Sequence, residues 1–242
     1  PIALREAFDE GFGEATLESV CYTRLAIPAV NLTIGEPHVF RSPHLPKAYH
    51  DRHIKVTDVT IAATAAPTYF PHHQIGEHAY VDGAMWANDP SVLALAEAIR
   101  VNNFESETNG TSNGSNFLDN IHLLSIGTGR AQFSLSPPGA DAGLLYWAPR
   151  VADVMGTSQV QGVHLPLKYI LGDRYRHINF RMSERWGLDE VEHLSDLFEV
   201  GEQRAAARFA SIHDDYLQHT RVKFTPVASA EGEITLEEFG FE

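Results

Sequence analysis

Hydrophobic and polar positions along this chain follow two different periods in turn. Arg24 to Leu32 is a nearly continuous apolar run of strand length, and Gly35-Glu36-Pro37 turns it into a second short strand at Val39 to Arg41. Ser42 to Arg52, rich in proline and histidine, reads as a loop. From Val56 to Ala66 the spacing becomes helical, with Val56, Val59, Thr60 and Ala63 on one face and alanines that permit close backbone approach, until Pro67 stops it. Ala79-Tyr80-Val81 is a short apolar run that ends on Asp82-Gly83. Asp89-Pro90 supplies a cap followed by a proline in the first turn, and SVLALAEAIR carries a periodic apolar face behind it. Farther on, Ile121 to Ile126 predicts a compact strand ending in Gly127-Thr128-Gly129, Arg174 to Phe180 another strand, and Leu194 to His219 a long helix with a Glu/Arg-laced face. Leu144 to Ile170 reads as helix interrupted near Gly156 and Pro166, and Leu4 to Phe12 as a short amphipathic segment. Strands alternating with helices predict an α/β fold with a mostly parallel sheet.

Asn102 to Asn116 is dominated by Asn, Ser, Thr and Gly and is expected to be a flexible surface loop inside one domain spanning residues 1–242. A chain of 242 residues that is 43% hydrophobic can bury one substantial core. It has no apolar run of about 18 residues or more, so no transmembrane helix is expected. With 18 basic and 32 acidic residues the net charge is −14, which disfavours nucleic acid and gives no global attraction to anionic lipid. The single cysteine, Cys21, excludes an internal disulfide and favours a reducing compartment. Asn31, Asn109 and Asn113 head Asn-x-Ser/Thr sequons, a pattern that also arises often by chance.

The chemistry-bearing candidate is Asp82. An acid on the last residue of a strand, followed by Gly83 and the small Ala84, is held at a fixed position on the rim of a sheet, with the glycine expected to turn at positive φ. Asp-Gly alone is equally a common hairpin turn. Asp89 is better explained as a helix cap, and Asn88 as support for the turn. Met85 and Trp86 suit either an acyl pocket or core packing. Among thirteen histidines, His44, His50, His53, His72, His73 and His78 cluster in sequence, but none forms a His-Glu-x-x-His pair, so no metal site is expected. His72-His73 is placed for a substrate-side role. Gly127-Thr128-Gly129 lacks a P-loop lysine and a third glycine, so a tight turn is the better reading than a phosphate cradle.

Several segments, in this order along the chain, resemble the patatin-like phospholipases of bacteria and fungi. They are NLTIGEPHVFRSPH at 31–44, TAAPTYFP at 64–71, YVDGAMWANDP at 80–90, LLSIGTG at 123–129 and YILGDRYRHINF at 169–180. The resemblance implies a three-layer α/β fold, a mostly parallel central sheet flanked by helices, and a Ser-Asp dyad whose acid is Asp82, with Gly83 and Ala84 completing its motif. It also implies a lipid acyl hydrolase of the phospholipase A or galactolipase kind. Such an enzyme takes membrane lipid or acylglycerol, needs no cofactor and no nucleic acid, and is cytoplasmic with peripheral membrane contact. Patatins carry their glycine-rich oxyanion loop and Gly-x-Ser-x-Gly elbow ahead of the region where this chain begins. No Gly-x-Ser-x-Gly elbow is expected within the chain itself, because the nearest candidates, Gly156-Thr157-Ser158 and Ser125-Ile126-Gly127, lack the flanking glycines of a strained elbow. The chain is therefore expected to be the C-terminal part of the domain, incomplete at its N-terminus. The competing expectation is a truncated or degenerate patatin acting as a non-catalytic lipid-binding or regulatory module.

Overall fold

Two hairpins and the helix between them build the first part of the chain. In the computed structural model, which describes residues 2–20, 22–110, 117–131, 143–147, 150–182, 186–187, 189–218 and 223–227, the contacts divide into two compact units. One takes residues 1–114 with the stretch from 221 onward, the other residues 115–220.

The first unit opens with helix α1 (Ile2–Phe12), then strands β1 (Ala26–Asn31) and β2 (Glu36–Arg41), a 3-10 turn over Pro46–Asp51 and helix α2 (Val56–Thr64). Strands β3 (His73–Ile75) and β4 (His78–Asp82), the short helix α3 (Ala84–Ala87) and helix α4 (Ser91–Asn109) complete it. The four strands form one sheet in the order β2-β1-β4-β3, antiparallel throughout, so β2 and β3 are its edges. The α/β character is as expected, but this sheet departs from the mostly parallel one. The reason lies in connection length: β3 and β4 are joined by Gly76-Glu77 alone, with Gly76 at φ 58°, and so short a link can only return antiparallel. Leu17, Ala29, Phe40, Val56, Val59, Ala62 and Tyr80 form the core cluster, placing α2 against the sheet. The buried face of α2 is Val56, Thr57, Val59 and Ala62, rotated slightly from the expected one, and Thr60 Oγ1 instead donates to the Val56 carbonyl at 2.8 Å.

Helix α4 runs through Asn109, where a loop from Asn102 onward was expected. Gly110 then ends it in the left-handed conformation at φ 64°, its N–H on the Ser106 carbonyl. Buried Val101 and an ion pair between Arg24 and Glu105 hold the polar stretch against the unit, and adding residues to an existing helix needs little further stabilisation. Residues 111–116, including Asn113, and Cys21 lie outside the described residues. Asn31 is only 3% exposed, with its side-chain oxygen accepting the Thr33 N–H.

The second unit contains strands β5 (Leu123–Ile126) and β6 (Arg130–Ala131), helices α5 (Leu144–Trp147) and α6 (Val151–Leu171), strands β7 (Tyr175–Ile178) and β8 (Arg181–Met182), and helix α7 (Leu194–Ile212), which passes into a π-turn over His213–Leu217. Here pairing is parallel, β5 with β7 and β6 with β8, as the crossover through α6 requires. The expected breaks at Gly156 and Pro166 are absent: α6 is continuous. A proline inside a helix costs about 3 kcal/mol, and burying Leu167 and Leu171, at about 1.5–3 kcal/mol each, offsets it. Gly127-Thr128-Gly129 is not the tight turn expected but an irregular link from β5 to β6, with Gly127 N–H donating to the Ile178 carbonyl and Gly129 N–H to Asn179 Oδ1. Among the described residues no helix is long and apolar enough to cross a membrane.

Candidate active site

Asp82 is the last residue of β4, an inner strand of the four-stranded sheet, and lies opposite Ala29 of β1. Its backbone N–H donates to the Ala65 carbonyl at 3.1 Å, which fastens the strand end to the exit of α2. Its half-buried carboxylate accepts the Ala84 N–H on Oδ1 at 2.8 Å, and among the described residues no other hydrogen bond falls on it. That single bond fixes the side chain and leaves Oδ2 available as an acceptor. Gly83 serves a different purpose from the one expected. Its φ is −67°, open to any residue, but a Cβ there would fall 2.2 Å from the Pro28 carbonyl oxygen of β1. Close approach, not a left-handed turn, is why glycine follows the acid.

The segment before β3 is strained. Thr68, between Pro67 and Tyr69, has φ 78°, the one described non-glycine residue at positive φ. A β-branched residue there costs on the order of 1–3 kcal/mol. Tyr69 and Phe70 N–H groups both reach the Ala66 carbonyl and hold the turn closed. Trp86 donates its indole N–H to the Ala29 carbonyl at 2.9 Å, so it anchors α3 to β1, while Met85 is exposed.

Against Tyr80 of β4 lies a half-buried polar pair. His38 packs its ring against Phe40 and Tyr80, and its Nε2 stands 3.9 Å from Asp51 Oδ2. Burial pushes the Asp51 carboxyl up to about 6. Burial, followed by the charges of Arg41 and His78, pushes His38 down to about 4. The two act oppositely on stability. Between about pH 4 and 6 the folded state holds the Asp51 proton longer than the unfolded chain does, so this group makes stability fall as pH rises. His38 is deprotonated earlier in the folded state, so it makes stability rise over about the same window. Asp51→Asn removes the first effect and leaves the second. The variant is expected to gain about 1–2 kcal/mol over wild type at pH 8 and almost nothing at pH 4, read from urea unfolding at each pH. An equal gain at both values would show that Asp51 ionises normally in the fold.

Three of the candidate histidines meet carboxylates. Buried His44 sits between Ser42 Oγ at 3.0 Å and Glu97 Oε1 at 3.1 Å. Burial alone would raise the Glu97 carboxyl, but the bonds from His44 and Arg41, with the charge of Arg100, hold it down at about 2. His73 on β3 meets Asp58, which also binds Arg5, so it ties α1, α2 and β3 together; His72 is exposed. His53 lies 3.5 Å from Glu18. Among the described residues no three His, Cys, Asp or Glu side chains gather as a metal site. Asp89 accepts the N–H and the hydroxyl of Ser91, the first residue of α4, as a capping acid does.

Three serines bear on the nucleophile. Ser125 lies opposite His177 across β5 and β7, with Oγ 3.0 Å from Nδ1, a cross-strand pair that only the register reveals. Ser158 lies within α6, which is no elbow. A third candidate corrects the earlier expectation: Gly110-Thr111-Ser112-Asn113-Gly114 does have both glycines around a serine. A nucleophile elbow needs a strand in front of the serine, and here the 19-residue helix α4 stands there, with Gly110 used as its cap. Ser112 itself lies outside the described residues.

No protein-family model matches the chain. Over 127 residues, 52% of its length, it is 35% identical to a cGAMP-activated phospholipase of Vibrio cholerae, covering 34% of that protein. Over 136 residues, 55% of its length, it is 36% identical to a cGAMP-activated phospholipase of Escherichia coli, covering 36% of it. Over 156 residues, 60% of its length, it is 28% identical to patatin-like protein 1 of Arabidopsis thaliana, covering 37% of it. The chain thus spans about a third of the length of these curated relatives.

Proposed function

This chain is a relative of the patatin-like phospholipases, and on that premise we propose that it supplies the acid of a Ser-Asp pair in a lipid acyl hydrolase. The observation that carries the reading is Asp82 itself: an acid on the end of an inner strand, seated by the Gly83–Pro28 approach and oriented by the Ala84 N–H. The serine comes from outside these 242 residues. Its Oγ attacks the ester carbonyl carbon while its proton passes to Asp82, giving a tetrahedral oxyanion. Collapse breaks the bond to the alcohol, which leaves with that proton, and the acyl-serine remains. Water, deprotonated by the same carboxylate, then releases the fatty acid and restores the serine. Substrates are phospholipids, galactolipids or acylglycerols at a membrane surface.

The test compares the 242-residue chain with the polypeptide that contains both this chain and the serine, on a short-chain p-nitrophenyl ester and on phospholipid vesicles. Because two relatives are named for activation by cGAMP, each assay runs with and without it. The longer polypeptide is expected to turn over and the chain alone to show little activity. Turnover by the chain alone that Ser112→Ala or Ser125→Ala abolishes would move the nucleophile inside it. A longer polypeptide that binds vesicles yet hydrolyses nothing would favour the non-catalytic module.

A further inference from the structure

Strands β6 and β8 pair in a register that sets Arg130 directly beside Arg181. Like charges at opposed positions of a sheet repel each other. In a chain with 32 acidic and 18 basic residues a carboxylate partner would be easy to supply. Among the described residues neither guanidinium has one. Both instead line one cleft of about 510 Å³ whose walls include His164, His177, Asn179 and Phe180 and, among the described residues, no acid.

The wall is built to present donors. Asn179 Oδ1 accepts the N–H groups of both Gly129 and Phe180, at 2.9 Å each, which fixes the amide so that Nδ2 is its remaining polar atom. Gly127 has no Cβ where one would fall 2.4 Å from that Nδ2, so the loop leaves the amide its seat. The rings of His164 and His177 lie 5.2 Å apart, His164 held through Tyr175 OH and His177 through Ser125 Oγ.

We propose that this cleft binds the phosphate group of an ester or diester, clamped between Arg130 and Arg181. Two guanidinium forks side by side match the several acceptor oxygens and the charge of a phosphate. Bringing an anion between them removes the repulsion that the register imposes. Phe180 offers a face to the organic part of the ligand. The net charge of −14 turns away an extended polyanion, so the ligand is a single ester, either a soluble nucleotide-like one or a lipid headgroup. The inference stands on the cleft alone and holds whether or not the protein hydrolyses lipid.

The experiment uses the 242-residue chain at fixed ionic strength, with inorganic phosphate, AMP, and vesicles of phosphatidylcholine with and without phosphatidylglycerol. Phosphate and AMP are expected to raise the melting temperature saturably. Arg130→Gln and Arg181→Gln should each weaken that binding by about tenfold or more, the loss of a hydrogen bond to a charged group. Without ligand both variants should melt at or above the wild-type temperature, because an opposed charge has gone; this separates lost binding from lost folding. Sedimentation with phosphatidylglycerol vesicles alone, abolished in the same variants, would assign the phosphate to a lipid headgroup. No saturable response to any probe, or an undiminished one in the double variant, would overturn the proposal.

Discussion

Asp82→Asn is expected to lower ester hydrolysis by about two to four orders of magnitude in the polypeptide that carries both Asp82 and the serine, the range for a lost general base. Asparagine keeps the shape of the side chain, and its amide oxygen can still accept the Ala84 N–H that orients Asp82 at 2.8 Å. What it removes is the capacity to take a proton, so the loss belongs in kcat, with the melting temperature unchanged. Asp89→Asn is the matched control seven residues on. Asp89 caps α4 through Ser91, and asparagine caps about as well as aspartate, so activity and stability should both stay close to wild type. Full activity in Asp82→Asn with a loss in Asp89→Asn would mean that the wrong acid has been assigned.

The second large effect falls on folding. Gly83→Ala places a Cβ 2.2 Å from the carbonyl oxygen and 2.4 Å from the carbonyl carbon of Pro28. Both are backbone atoms of β1, so no side chain can rotate away, and the strands themselves must part. Inserting a methyl group into a packed site usually costs about 1–3 kcal/mol, and a backbone neighbour puts this case at the upper end or beyond. Local propensity works in the opposite direction. With φ at −67° ahead of α3, alanine would gain up to about 1 kcal/mol from its restricted unfolded state. The sign of the change in urea midpoint therefore discriminates. A clear fall supports the close approach, whereas a rise would show that β1 and β4 do not meet this tightly. Because Asp82 sits one residue earlier, opposite Ala29, the same variant should also misplace the carboxylate and slow hydrolysis at temperatures where it is folded.

The position of Asp82 was legible because strand and turn signals are local: an apolar triplet, an acid, then Gly-Ala. The reason for the glycine was not legible, because it depends on Pro28, which lies 55 residues away and meets it only through the β1–β4 pairing. The antiparallel sheet could have been foreseen from Gly76-Glu77, a two-residue link just ahead of the short apolar run Ala79-Tyr80-Val81. The alternation of helices and strands was instead weighted toward a parallel sheet, which the second unit shows only in β5–β7 and β6–β8. Polar composition misled at Asn102 to Asn109, where one buried valine and an ion pair to Arg24 were enough to keep the helix going. Proline misled at Pro166, where burial of two leucines outweighs one missing hydrogen bond. The Arg130–Arg181 juxtaposition has no signature in sequence at all: the two residues are far apart in the chain, and only the register brings them side by side.

The margins of the four-stranded sheet carry a consequence for handling the protein. Its outer strands are β2, whose Pro37 has no N–H to offer, and β3, only three residues long and closely preceded by Pro71. A margin that is short, or interrupted by proline, gives an incoming strand from another copy few backbone groups to pair with. Self-templated growth from this sheet is thereby discouraged, both in the native protein and in any partly unfolded form that keeps the two hairpins.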